Sequence, residues 1–213
     1  MKGTTNPGRS GVTLISAALA TTIGLGYSAR PVAAAPGDNT IFPMKVSPGA
    51  ATCLPKAKGR VTVTNVGPVE NLHVEVSELR ANTDYDLFII QVPNAPFGLS
   101  WYQGDILTDA KGNGVGDFVG RFSVETFIVA PGQAVVPTPV HPADAPAGSK
   151  NPAIAAPIHT YHLGLWFNSP ADAASIGCPG TTTPFNGDHT AGIQVLNTGG
   201  FPDTLGPLRA FRP

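Results

Sequence analysis

A chain of 213 residues with 13 basic against 14 acidic side chains, and no lysine–arginine run, lacks the electrostatic footprint of a nucleic-acid or anionic-lipid binder. Its 22 prolines and 25 glycines argue against long helices and for short elements between turns. Neither of the two cysteines, Cys53 and Cys178, sits in a CxxC or Cys/His cluster, which argues against a zinc site.

The first 34 residues read as an export signal. Lys2 and Arg9 give a positive start, Gly11 to Ala29 form an uncharged, mostly apolar run, and Val32 and Ala34 supply small residues at the cleavage positions. A retained anchor is the rival, but Gly24 and Gly26 interrupt the run and only Arg30 follows it. Cleavage leaves 35–213 with 10 basic against 14 acidic residues, a net charge near −4, and no membrane span. That length suits one domain. Export predicts a secreted, extracellular or cell-wall-associated protein, and in that compartment Cys53 and Cys178 are expected to form a disulfide.

Beyond the leader the pattern has period two. Val61 and Val63 alternate with threonines, and Leu72, Val74 and Val76 alternate with His73, Glu75 and Ser77, which predicts half-buried strands. Tyr85 to Val92 is apolar on both faces and reads as a central strand. Ile106–Thr108 and Gly116–Val129 flank the polar, glycine-rich segment from Asp109 to Gly114, a hairpin connection. Pro131 to Pro157 holds seven prolines and is expected to be a surface excursion. Thr160–Phe167 and Ala191–Leu196 complete the strands, and Gly199–Pro213 reads as extended. The fold expected is an all-β antiparallel β-sandwich, immunoglobulin-like or related, of about 7–9 strands.

Chemistry-bearing residues are sparse. His159, Asp188 and His189 are the only candidates for a metal or acid–base site, and the spacing of His159 and His162 on a strand is poor for a shared metal. Asp109, Asn113 and Asp117 resemble a calcium loop in part, but Lys111 stands at a ligand position and no bidentate glutamate follows, so a turn is expected. Asp84 and Asp86 share one strand face and are expected to be solvated. Phe97, Trp101, Tyr102 and Trp166 are candidate ligand-binding aromatics, able to stack on a sugar or dock a partner if exposed.

Three segments carry a resemblance: Asn82-Thr83-Asp84-Tyr85-Asp86-Leu87-Phe88 through Trp101-Tyr102-Gln103-Gly104-Asp105; Thr108-Asp109 through Gly120-Arg121-Phe122; and Leu165-Trp166-Phe167-Asn168-Ser169-Pro170 through Asp188-His189-Thr190-Ala191-Gly192. Together they resemble a group of uncharacterised secreted proteins of actinomycete-type and related soil bacteria. The resemblance implies export and a β-rich fold, and it transfers no activity and no site residue. The expectation is therefore a secreted or cell-surface protein without catalytic residues or cofactor, binding a glycan, a cell-wall polymer or a protein, or associated with the envelope. The alternative from a different class is a secreted hydrolase or metal-dependent enzyme using His159, His189 and Asp188.

Overall fold

Strands form where buried and exposed side chains alternate. In β1 (Asn39–Val46) Phe42 and Met44 point inward while Ile41, Pro43 and Lys45 point out. β2 (Lys58–Asn65) and β3 (Glu70–Ser77) alternate along their whole length, and β6 (Gly114–Gly120) presents Val115, Asp117 and Val119 to solvent. The computed structural model describes residues 3, 38–123, 126–127, 158–186 and 189–210, and all its elements lie within Pro31–Pro213. The export segment (Gly3 apart) and the proline-rich excursion lie outside the described residues.

The other strands are β4 (Asp84–Ile90), β5 (Ser100–Leu107), the two-residue pair β7 (Thr126–Phe127) and β8 (Ile158–His159), β9 (His162–Phe167), the hairpin β10 (Thr183–Asn186) and β11 (His189–Ala191), and β12 (Gln194–Asn197). β4 and β9 are buried almost throughout, as the two-sided apolar pattern of Tyr85 to Val92 requires.

The all-β expectation holds, with a specific topology. Eight strands form one antiparallel sheet in the order β5-β4-β9-β12-β1-β2-β3-β6. β1 makes the sheet continuous: Asn39 to Met44 pair with β2, and Lys45 and Val46 pair with β12. A strand that changes partner along its length lets a sheet fold over on itself. The two outer strands, β5 and β6, are consecutive in sequence and meet at a bridge between Thr108 and Gly114, so the sheet approaches a barrel. Pro43 falls where β1 has a single partner strand, so its missing N–H is tolerated.

Both halves of the folded sheet fill one core, with Val61, Leu72 and Val74 from one side meeting Leu87, Ile89, Leu163 and Leu165 from the other. Each is essentially excluded from solvent, and burying such a side chain contributes about 1.5–3 kcal/mol. A helix, α1 (Pro170–Ala174), lies between β9 and β10; Ser169 Oγ accepts the Asp172 N–H at 3.1 Å and caps it. Arg80 then ties Asp172 to the loop before β4 at 2.6 Å. Cys178, just beyond the helix, is bridged to Cys53 between β1 and β2 (Cα–Cα 5.2 Å), as expected.

Two expectations are corrected. Gly199 to Ala210 is not extended but consists of turns and a short 3-10 helix, because Leu208 is fully buried in the core. Asp86 is not solvated but fully buried, because the outer face of β4 carries a second apolar layer in which Phe88 and Ile90 pack with Trp166 and Ala191.

Candidate functional site

The candidate aromatics divide. Trp166 is edge-on to Phe88 (5.4 Å between centroids) and to Phe97 (5.0 Å), and Phe88 is edge-on to Tyr102 (5.6 Å). Phe97, Tyr102 and Trp166 are thus brought together, but as packing. Trp166 is 0 % exposed and offers no ring to a ligand. Gly164 makes room for it, since a β-carbon there would lie 2.3 Å from the indole. Trp101 keeps an exposed ring, yet it pairs with Ile89 while Tyr102 pairs with Phe88, so as consecutive strand residues they face opposite sides of the strand. The shared stacking platform is therefore not built: one member is buried and another faces away. Tyr102 donates to Asp105 Oδ1 at 2.5 Å, and burial, then that hydrogen bond, pushes its phenol far above the usual range.

The histidines also divide. His159 stacks on Tyr161 at 4.9 Å. His162 is buried between Thr198 Oγ1 (2.9 Å) and the carbonyl of Asp203 (3.3 Å). Asp188 and the side chain of His189 lie outside the described residues. Among the described residues no group of three His, Cys, Asp or Glu could hold a metal ion. The loop from Asp109 is a turn, as expected: the Asp109 carboxylate accepts the backbone N–H of Lys111 (2.8 Å) and of Asn113 (2.9 Å), and those bonds, the Asn113 one foremost, hold it below the usual carboxylate range. Asp117 points away from that loop, to His73 Nδ1 at 2.7 Å.

Phe97 borders a small hollow of about 240 Å³ with Pro48, Asn94 and Ile193, and a larger concavity lies on the outer face of β1, β2, β3 and β6. There a groove of about 720 Å³ opens between Ile41 and Pro43 on one side and Val115 on the other. Its floor follows from register: Pro43 pairs with Arg60, Arg60 with Glu75 and Glu75 with Val115, a row across four strands. The next row is Ile41, Thr62, His73 and Asp117. Ile41 is 49 % and Val115 57 % exposed, on a sheet face that alternation alone would make polar. The turn at Asn113 closes one end and is fixed by Asp109 and by the Leu79 N–H donating to the Gly112 carbonyl.

The chain matches no known protein-family model and no curated protein sequence. The groove residues themselves must carry the functional reading. Arg60 and Glu75 are 3.9 Å apart and both more than half solvent-facing or nearly so, a loose pair contributing at most about 1 kcal/mol and easily exchanged for a ligand contact. The His73–Asp117 pair is a similar cross-strand contact on an open face.

Sequence reasoning missed one feature of this surface. Lys58 and Arg60, two of the ten basic residues between positions 35 and 213, are exposed and line the groove. They stand two residues apart on the outward face of β2. The signal was available in the alternation of β2; whole-chain charge averaged it away.

Proposed function

We propose that this chain is an exported, non-catalytic binding protein, and that its ligand lies in the groove across β1, β2, β3 and β6. The observation that carries the reading is the groove itself: exposed aliphatic side chains lining a concave sheet face beside weakly paired charges. Isolated surface hydrophobes need no explanation, whereas aliphatics gathered in a concavity with convergent polar groups suit a binding site. The Cys53–Cys178 bridge supports action in an oxidising compartment outside the cytoplasm. Among the described residues no helix is long and apolar enough to cross a membrane.

The test is a panel of glycans, cell-wall polymers and peptides applied to the full chain and to a variant carrying Ile41→Asp and Val115→Asp. Both positions are exposed, so the variant should fold. Binding by the parent chain that the variant loses supports the reading. Binding that survives in the variant places the site elsewhere, and hydrolysis of any panel member abolished by His189→Ala would favour the enzymatic alternative.

A further inference from the structure

One row of side chains on the outer face is its own complement when reversed. Pro43, Arg60, Glu75 and Val115 follow one another across β1, β2, β3 and β6, aliphatic at each end, with a cation beside an anion in the middle. All four are exposed. A two-fold axis lying over the face, parallel to the strands and midway between β2 and β3, turns this row onto itself. Pro43 of one copy then lies over Val115 of the other, and Arg60 of each copy over Glu75 of the other. Self-complementarity under a two-fold operation is the requirement of an isologous dimer. The in-plane axis at right angles fails the same test, since it sets Arg60 over Arg60 and Glu75 over Glu75.

Shape and charge agree with this arrangement. Arg60 and Glu75 meet at only 3.9 Å within one copy, with 61 % and 50 % of their side chains exposed, so both are free to turn to a second partner. Facing copies set the four charges in a ring of alternating sign, and such networks hold better than a lone exposed pair. The groove has aliphatic rims, Ile41 and Pro43 on one side and Val115 on the other, about a floor that carries the two long charged side chains. Rim therefore meets rim, and the long side chains reach across the hollow between. Facing sheets cross at about 30°, which moves the ends of a row about 14 Å long by roughly 4 Å and its central pairs by about 1 Å. The central charges keep their partners. In the next row Ile41 faces Asp117, a mismatch that keeps the association weak.

We infer that the groove face pairs with a second copy of this chain about a two-fold axis running along the strands, and that ligand and second copy compete for it. The inference rests on the groove being the interaction surface and adds a partner for it.

The experiment follows sedimentation of the full chain over a range of concentrations, for the parent and for Arg60→Glu and Glu75→Arg, each alone and the two mixed. Both positions are exposed, so the variants should fold, and matching melting points check this. The parent is expected to form a concentration-dependent dimer that salt weakens. Each reversal alone opposes like charges across the axis and should weaken dimerisation roughly tenfold or more. Mixing the two restores it, because opposite charges then face each other at both crossings. Single variants that dimerise as the parent does overturn the inference, as do variants that stay apart when mixed. A parent chain that remains monomeric up to about 1 mM overturns it too. A panel member that binds the groove should dissociate the dimer; one that leaves the dimer intact contradicts the competition. Where the dimer fails, panel binding lost with Ile41→Asp and Val115→Asp leaves the groove standing as a ligand site. Dimerisation that follows the charge rule while no panel member binds makes this face a self-association surface alone and ends the ligand reading.

Discussion

Removing the Cys53–Cys178 bridge tests how the folded sheet is held together. The bridge joins the segment between β1 and β2 to the segment after α1, across 125 residues. Cross-linking a loop of that length removes denatured-state entropy worth about 5 kcal/mol in the chain-entropy model, and native bridges typically deliver about 2–5 kcal/mol. Cys178 is nearly buried in the core, so alanine is the fitting replacement, since serine would bury a hydroxyl there. The double variant Cys53→Ala with Cys178→Ala should lose about 2–5 kcal/mol in urea titration. At about 2–4 °C per kcal/mol for a chain of this size, the melting point should fall by roughly 4–20 °C. The urea dependence should steepen as well, because an unbridged denatured chain exposes more surface. The parent protein under reducing conditions should fall to the same midpoint. A loss below about 1 kcal/mol with unchanged slope would refute the reasoning, since the closed loop would then impose no constraint on the unfolded chain.

Glu70 is buried and accepts both the backbone N–H of Ser123 (2.9 Å) and the Ser123 hydroxyl, so Glu70→Ala should destabilise by about 1–3 kcal/mol in urea titration. Gly112 has φ +77° and an added β-carbon would lie 2.1 Å from the Leu79 carbonyl oxygen; Gly112→Ala should cost about 1–3 kcal/mol by the same measurement and disturb the end wall of the groove. The Asp109 carboxyl titrates below its unfolded value of about 3.9, so its stabilisation is fully present above that pH and is lost as pH falls through the depressed folded value. Asp109→Asn should accordingly narrow the stability difference between about pH 6 and pH 3, measured by urea midpoints; an identical pH profile would show that the turn bonds do not favour the ionised form.

Much of the strand pattern was legible because alternation is a local property. Val61 and Val63, and Leu72 through Val76, announced β2 and β3, and the two-sided run from Tyr85 marked β4 as central. β1 was hidden by Pro43, which a strand tolerates only where partners are missing on one side. β5 was obscured by its bulge, which breaks the alternation of Trp101, Tyr102 and Gln103. The single continuous sheet depends on β1 changing partners, a tertiary event with no period of its own. The site was less legible. Trp166 and Tyr102 drew attention as aromatics, but whether a ring is covered depends on the second layer over β4 and on the glycine at 164. The groove is made of ordinary strand residues whose significance appears only once four strands are placed side by side.

The central claim is that ligand binds on the outer face of β1, β2, β3 and β6. Backbone amide chemical shifts of the full chain, recorded with and without the tightest-binding member of the glycan, polymer and peptide panel, test it most directly. Shifts concentrated at Ile41, Arg60, Glu75 and Val115 and their strand neighbours are the expected result. Shifts confined to β4 and β5, around Trp101 and Asp105, would contradict it.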